Sequence, residues 1–235
     1  MRPEPDNRAV SPHRTGTSAL DRHTDVVIAG HRNDVSVVFA GLEDRDASVR
    51  AAAVGALGRL SSVPDAERLA GWLTAAGDPN PTVRQRAALV APQLRVVEST
   101  HLHDLLLDDD DRVVETSCFA VGEIEPPDAA CIERLATIVE THSDSLCREA
   151  AVAALGSLGV PEGLASVLRG CSDKATVRRR AVLALANYDG EEVADMLRRL
   201  TTDRDLQVRQ SAEDLLAIAA GHNIGGGDIG GGDML

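Results

Sequence analysis

A 15-residue pattern of polar and apolar positions recurs along the chain. It reads Asp-x-x-apolar-Arg-x-x-Ala-x-x-x-Leu-Gly-x-Leu, and residues 144–158 show it most clearly. The apolar residue before the Arg position marks six copies: Val49, Val83, Val113, Cys147, Val177 and Val208. These marker residues lie 30 to 34 positions apart. Such a period is typical of solenoids, in which one repeat cannot bury its apolar face without its neighbours.

The conserved spacing within each copy predicts a helix. The marker and the residues four and eight positions after it share one face of a helix with 3.6 residues per turn. The residues four positions after the marker are small: Ala53, Ala87, Ser117, Ala151, Ala181 and Ala212. We therefore expect each copy to be the second helix of a helical hairpin, with a face that a neighbouring helix can approach closely.

Charged residues repeat in register with the apolar ones. Arginine follows the marker in every copy except the third, which has Val114: Arg50, Arg84, Arg148, Arg178 and Arg209. Three positions before the marker, five copies have a residue that can cap a helix: Asp46, Asn80, Asp110, Asp144 and Asp205. The fifth copy has Lys174 there, with Asp173 beside it as a substitute. Because nearly every repeat has these groups, they predict a structural ladder of caps and Arg–carboxylate bonds rather than a catalytic site.

The segments between the copies predict the first helix of each hairpin. We expect about six hairpins within residues 18–220, preceded by a terminal cap helix over residues 18–29. Pro92 replaces glycine in the second copy, so that helix should kink or end near Ala91. In the third hairpin, the first helix is expected to present three leucines: Leu102, Leu105 and Leu106.

The two ends of the chain depart from the repeat. Residues 1–17 contain three prolines and no helical period, which predicts a disordered leader. Residues 221–235 contain Ile-Gly-Gly-Gly-Asp twice, which predicts a flexible Gly/Asp-rich tail. A docking peptide and a calcium-binding repeat are alternatives for this tail, although the calcium signature Gly-Gly-x-Gly-x-Asp is not matched.

Asp-x-x-Val-Arg-x-x-Ala followed by Ala-Leu-Gly resembles the HEAT-repeat superfamily, and specifically the PBS-lyase HEAT-like repeats. The resemblance covers roughly residues 33–220. It implies an all-α, right-handed α-solenoid of the armadillo-like kind. It also implies a binding scaffold more often than an enzyme, since the fold serves many unrelated functions.

Composition narrows the classes of function. The formal net charge is −13, which disfavours nucleic-acid binding. The chain has neither an apolar run long enough for a membrane span nor a recognisable signal peptide, so we expect a cytoplasmic protein. The four cysteines form no close pair and are interpreted as reduced, buried hydrophobes rather than disulfides or metal ligands: Cys118, Cys131, Cys147 and Cys171.

The histidines are the other candidates for chemistry. His101 and His103, with the acidic residues 108–111 nearby, could form a divalent-metal site, but surface histidines beside an acidic loop are the favoured interpretation. Deoxyhypusine hydroxylases have similar hairpins with His-Glu pairs that hold iron, and none of the seven histidines here precedes Glu. HEAT-like DNA glycosylases need a basic face with aromatic side chains, whereas only 2% of this chain is aromatic. We therefore assign no catalytic residue, cofactor or metal.

The helix residues that face away from the core are the remaining candidates. In HEAT-type solenoids the residues 2, 3, 6 and 10 positions after the marker line the concave surface, and repeats two to five have the larger side chains there. The expected protein-binding residues are Gln85, Arg86, Glu115, Phe119, Glu123, Glu149, Arg179 and Arg180. Phe119 is the expected anchor, unless it folds back over its neighbours. The sequence thus predicts a non-enzymatic scaffold for a protein partner; an enzyme-associated role, bilin-lyase-like or oxidoreductase-labelled, is the alternative.

Overall fold

The structure is a computed structural model that describes the backbone of residues 18–225 and the side chains of residues 18–220. The predicted leader and residues 226–235 of the predicted tail lie outside the described residues. Within the described range, the regular elements are α-helices and short 3₁₀ turns. The α-helices are α1 (Ala19–Arg32), α2 (Val35–Leu42), α3 (Ala47–Leu57), α4 (Asp65–Ala76), α5 (Pro81–Val90), α6 (Asp111–Gly122), α7 (Ala129–Thr141), α8 (Ser145–Leu158), α9 (Leu164–Gly170), α10 (Ala175–Ala184), α11 (Glu191–Leu200) and α12 (Leu206–Gly225).

These helices form two layers, which confirms the predicted all-α solenoid. Layer B contains α1, α3, α5, α6, α8, α10 and α12, and each of these helices packs against the next. Layer A contains α2, α4, α7, α9 and α11, which pack against layer B. The core between the layers consists mainly of Ala, Val and Leu, with Trp72 as its largest buried side chain. The indole N–H of Trp72 donates to the carbonyl of Ala87 at 2.8 Å, so this polar group is satisfied.

Neighbouring B helices approach each other at the glycine of the repeat. A Cβ atom on Gly122 would lie 2.9 Å from the Cα of Ala154, and one on Gly156 would lie 2.8 Å from the Cα of Ala184. Real Cβ atoms do not come this close to backbone atoms, so a larger residue would push the helices apart. At these two steps the glycine therefore sets the spacing of neighbouring B helices, whereas a Cβ on Gly58 of the first copy would meet only Gln93, at 3.7 Å.

The first helix is a B helix, which the sequence pattern did not reveal. The guanidinium of Arg22 in α1 binds both carboxylate oxygens of Asp44, at 2.7 and 2.9 Å. A Cβ on Gly30 of the same helix would lie 2.7 Å from the Cβ of Ala56 in α3. The predicted cap helix thus repeats the arginine and glycine positions of the other B helices without their Asp and Ala residues.

The third hairpin has no regular first helix, so the prediction of a helix through its three leucines is wrong. Residues 99–102 and 105–107 form two 3₁₀ turns instead. The hydroxyl of Ser99 donates to the carbonyl of Pro126 at 3.1 Å and accepts the N–H of Asp128 at 2.8 Å. These bonds between the Ser99 side chain and the backbone of the next repeat take the place of backbone hydrogen bonds within a helix. Leu102 and Leu106 are nevertheless fully buried.

Pro92 ends the second helix of the second hairpin, as the sequence predicts. Helix α5 ends at Val90 and a 3₁₀ turn continues from Ala91 to Gln93. Proline has no N–H to continue the α-helical hydrogen bonds, which explains the early end.

The polar residues before the B helices act as N-caps. Asp46, Asn80, Asp110 and Asp144 each accept the N–H two residues ahead, at 2.8 to 3.0 Å. Asp205 does the same for Gln207 at 3.1 Å. Lys174 makes no side-chain cap. Asp173 does not replace it, because its carboxylate accepts the backbone N–H of Lys174 and the guanidinium of Arg148 rather than an N–H of α10. Helix α10 therefore begins without a side-chain cap.

The repeated arginines bind a second set of acids, two residues before the cap in most repeats. Four bidentate pairs, with N···O distances of 2.6 to 2.9 Å, join each B helix to the next corner: Arg50–Asp78, Arg84–Asp108, Arg148–Asp173 and Arg178–Asp203. The remaining guanidinium nitrogen donates to a carbonyl of the arginine's own corner, as Arg84 does to Asp78 at 2.8 Å. Among residues 18–220, Arg209 makes only this last kind of bond, to the carbonyl of Asp203 at 2.6 Å. Each arginine thus links two successive corners.

The ladder is interrupted in the middle by two matched departures. Val114 stands where an arginine is expected, and His142 stands where the acid that would bind it is expected. The imidazole Nδ1 of His142 accepts the N–H of Asp144 at 3.2 Å. Asp108 uses a carboxylate oxygen for the same bond to the N–H of Asp110, at 2.9 Å. His142 therefore keeps the corner shape without a carboxylate.

The ladder predicts that Arg148→Ala is more destabilising than Arg180→Ala. Arg148 is mostly buried, and its loss removes the guanidinium that binds both carboxylate oxygens of Asp173, at a cost of about 3 kcal/mol. The Arg180 side chain is 44% exposed, and its guanidinium lies 3.5 Å from the carboxylate of Glu149. An exposed ion pair of this kind contributes at most about 1 kcal/mol. Urea unfolding of the two variants measures both costs. A larger loss for Arg180→Ala would show that the ladder does not stabilise the corners.

A second prediction concerns acid. The hydrogen bond from Arg22 lowers the pKa of Asp44 from 3.8 to about 2. The unfolded chain therefore binds this proton more readily, and the contribution of Asp44 to stability is complete above pH 4 and is lost as the pH falls through 2. Asp44→Asn should destabilise the protein at pH 5.5, and the difference from wild type should shrink toward pH 2. The exposed Asp104 supplies the control, Asp104→Asn, for which urea unfolding should show little difference at either pH.

A third prediction is that Val114→Arg together with His142→Asp restores the missing link. The new arginine would have the same repeat position as Arg84, and the new acid would have the same corner position as Asp108. Val114→Arg alone should destabilise because it places an unpaired charge at a buried position. A double-mutant cycle by chemical denaturation should give a favourable coupling of about 1–3 kcal/mol. Additive effects would contradict the matched departures.

Candidate functional site

The exposed side of layer B is the candidate site, and we call it the B face. Phe119 lies on this face and is 42% exposed, so it does not fold back over its neighbours. Leu89 and Leu183 occupy the same repeat position as Phe119 and are 51% and 52% exposed. An apolar residue in this position is thus presented to solvent by α5, α6 and α10.

A groove crosses the N-terminal half of the B face. Its volume is about 650 Å³, and it spans α1, α3, α5 and α6. Its cationic and imidazole side chains are His23, His31, Arg59 and Arg86, and we call it the arginine groove. Small residues form much of the surface between them, including Ala51 and Ala52. The sequence predicted a poorer surface for the first repeat, but the small side chains of this repeat leave the space that the groove occupies.

Glycines position the two arginines of this groove. A Cβ on Gly55 would lie 2.4 Å from a terminal nitrogen of Arg86, so the guanidinium lies directly against the α3 backbone. A Cβ on Gly30 would lie 3.2 Å from Arg59, which lies against α1 in the same way. Among the described residues, neither guanidinium has a hydrogen-bond or ion-pair partner. Both therefore face the groove as uncompensated charges.

An apolar pocket continues the groove toward the centre of the chain. It has a volume of about 260 Å³ and lies between Leu89 and Phe119, with Glu115 and Glu123 also lining it. Gln85 donates to the hydroxyl of Thr116 at 3.2 Å where the groove and pocket meet. Burial raises the pKa of Glu115, and the nearby charges of Asp144 and Glu149 act in the same direction. The centre of the B face is thus apolar with an acidic border.

The C-terminal half of the B face is electrically compensated. Arg179 binds both carboxylate oxygens of Asp205, at 3.0 and 2.5 Å. Arg180 lies 3.5 Å from Glu149. The positive charge that the sequence suggested for this end is therefore paired within the protein, and the unpaired charge of the candidate residues belongs to Arg86, with Arg59 beside it.

The histidines singled out from the sequence have structural contacts. The ring of His101 packs edge-on against Trp72 with centroids 6.3 Å apart, and its Nδ1 accepts the N–H of Glu98 at 3.0 Å. In the acidic corner, Asp108 binds Arg84 and Asp110 caps α6. His101, Asp108 and Asp110 therefore make bonds that hold the repeat together, whereas His103 is 41% exposed and lies 3.6 Å from Asp104.

A different group of ligand types meets at the ladder interruption. Asp111, His142 and Cys147 have candidate ligand atoms within 4.8 Å of one another. Because Nδ1 of His142 accepts the N–H of Asp144, its proton lies on Nε2, the nitrogen that faces Asp111 at 3.8 Å. Burial raises the pKa of the Cys147 thiol to about 12, and the thiol donates to the carbonyl of Asp111 at 3.2 Å. His142 and Cys147 each carry a proton on the atom that would have to bind an ion, so we assign this group no metal.

Within residues 18–225, each helix is too short or too polar to cross a lipid bilayer.

Solved structures with a similar fold include natural and designed solenoids. The E. coli protein YibA has a TM-score of 0.58 and 17% identity, covering 91% of this chain and 80% of YibA. The CpcE–CpcF complex of phycocyanin lyase from Nostoc has a TM-score of 0.50 and 18% identity, covering 92% and 99%. A designed armadillo repeat protein in complex with the peptide (KR)4 has a TM-score of 0.54 and 16% identity, covering 77% and 97%. At these identities the likeness shows the fold alone.

No curated protein sequence matched the chain. The family model for HEAT repeats matches residues 35–120 and 132–217, which together make up well over half of the sequence. These two stretches contain the six marker residues and five of the six ladder arginines, counting Arg22 of α1. The chain therefore belongs to the HEAT repeat family.

Proposed function

We propose that this protein is a non-enzymatic scaffold that binds a protein partner along its B face. The observation that supports this most directly is the continuity of the arginine groove with the apolar pocket at Leu89 and Phe119. The two cavities share Gln85, Leu89 and Thr116 in their linings. A partner chain would meet one uninterrupted surface from α1 to α6.

The B face suits binding because it is formed before a partner arrives. Its side chains stand on helices that are packed against neighbours on two sides, so little conformational entropy would be lost on the scaffold. Exposed aromatic and aliphatic residues at the centre of a surface are typical anchors of protein interfaces. Phe119 has this position, with Glu115 and Glu123 as the polar border.

Similar solenoids support a role in protein binding by analogy. The CpcE and CpcF proteins are found in complex with each other, and the designed armadillo protein was solved with a peptide. The (KR)4 peptide is basic, and the arginine groove here is also positively charged. A peptide bound in this groove would therefore need an acidic sequence rather than a basic one. An enzyme-associated role remains the alternative, but no arrangement of the described residues favours it.

The cysteines support a cytoplasmic location for this scaffold. Cys118, Cys131, Cys147 and Cys171 are all buried and unpaired. Burial raises the pKa of the Cys171 thiol to about 12 and that of Cys131 to about 11, which makes both thiols unreactive. Free cysteines of this kind are usual in a reducing compartment.

The prediction for this function uses a photo-crosslinking amino acid placed at Phe119 of the full chain in the native cell. It should capture a protein partner, because this position lies at the centre of the B face. Leu73 on α4 is 46% exposed in layer A and provides the matched control position, which should not capture the same protein. Capture from Leu73 alone would place the binding surface in layer A and refute the proposal.

Once the captured partner is purified, Phe119→Ala should weaken its binding by about 1–3 kcal/mol and should leave the unfolding midpoint nearly unchanged. Leu73→Ala is the control substitution and should bind as wild type does. Isothermal titration calorimetry measures both affinities.

A further inference from the structure

The arginine groove differs in charge from the protein as a whole. The chain has a formal net charge of −13, yet no Asp or Glu lines the groove. Its polar lining consists of guanidinium, imidazole, hydroxyl and amide groups: His23, His31, Ser48, Arg59, Thr82, Gln85, Arg86 and Thr116. The hydroxyls of Ser48 and Thr116 already donate their protons, to Asp46 at 2.7 Å and to the carbonyl of Arg112 at 2.7 Å. The guanidinium groups are the donors that remain free for a ligand, so the groove is suited to acceptors with negative charge.

The two groove arginines are not used to hold the fold together. Ladder arginines such as Arg84 bind a carboxylate in two places and a carbonyl in a third. Arg59 and Arg86 have no such partner among the described residues, although Gly30 and Gly55 leave space for them against the helix backbone. A guanidinium that is positioned but unpaired can bind an external carboxylate in a bidentate manner.

The rest of the lining points to a peptide rather than a small anion. Val27 and Leu89 provide apolar surface beside the charged groups, and the pocket at Phe119 extends it. The groove crosses four helices, and three steps of about 9 Å between packed helices make about 27 Å. This distance corresponds to about eight residues of extended chain at roughly 3.3 Å each.

The acidic border also sets the direction and the length of the ligand's charged part. Glu115 and Glu123 line the far side of the pocket and Glu149 lies on α8 beyond it, so these carboxylates would repel further negative charge. A long polyanion such as a nucleic acid would run into this border, whereas a short acidic segment would not. The acidic residues of the ligand would therefore lie at the α1–α3 end and an apolar residue at Phe119.

We propose that the arginine groove binds an acidic segment of a partner protein, about eight residues long, with carboxylates at Arg59 and Arg86 and an apolar side chain at Leu89 and Phe119. This inference rests on the proposed scaffold function and identifies the chemistry of its partner.

The test measures fluorescence anisotropy of labelled octapeptides added to the full chain. The probe has four Asp or Glu residues followed by a Leu, and the matched peptide has Asn or Gln in place of the acids. We expect the acidic peptide to bind at least tenfold more tightly, with an affinity that falls as salt rises. Arg59→Gln with Arg86→Gln should weaken it at least tenfold.

Two further variants separate position from charge. Arg45→Gln with Arg204→Gln removes the same charge from two exposed corner residues outside the groove and should change the affinity less than twofold. Gly55→Ala keeps the charge but places a methyl group where the Arg86 guanidinium lies, and this flexible side chain can move aside without unfolding α3. It should therefore weaken the acidic peptide while circular dichroism stays unchanged.

Equal binding of the acidic and amide peptides, or equal losses in the groove and corner variants, would overturn the inference. Tighter binding of a dT8 oligonucleotide than of the acidic peptide would assign the groove to nucleic acid instead. If the peptide fails but crosslinking at Phe119 still captures a partner, the scaffold function stands and only the acidic segment is wrong. If both fail, the B face is not the binding surface.

Discussion

The close approach of neighbouring B helices is the constraint on which the rest of the structure depends. With few aromatic side chains, the solenoid cannot fill wide gaps, so its helices must touch through glycine and alanine, as Gly122 does with Ala154. This contact sets the distance between successive corners. The arginine after each marker can reach the carboxylate of the next corner only because that distance is maintained.

The ladder then holds the corners, but packing contributes more to stability than the ion pairs do. A buried ion pair is weak evidence of net stabilisation, because removing both charges from water costs much of what their attraction returns. The ion pairs contribute specificity here, because each arginine can form its bonds in only one arrangement of the two corners. The interruption at Val114 and His142 fits this interpretation, since both members depart together and the corner keeps its hydrogen bond to Asp144.

The same small residues also shape the binding surface. The B face has a depression over α3, formed by Ala51, Ala52 and Gly55. The guanidinium of Arg86 from the next repeat lies over Gly55 in this depression. The contrast among the arginines is informative. Arg179 faces a carboxylate and belongs to the fold, whereas Arg59 and Arg86 face the groove without one. Pairing, rather than position in the repeat, separates structural arginines from candidate binding residues.

The sequence alone determined the local features, because period, capping and proline geometry depend on residues close together in the chain. In this way the sequence predicted the six B helices that contain the markers, the caps such as Asp46 and the end of α5 before Pro92. The acids that pair with the ladder arginines lie 24 to 28 residues further along the chain. The arginine groove is lined by residues from four helices. These features, and the 3₁₀ turns after residue 98, were decided by the tertiary structure, because only the packing of one repeat on the next brings such distant groups within bonding distance.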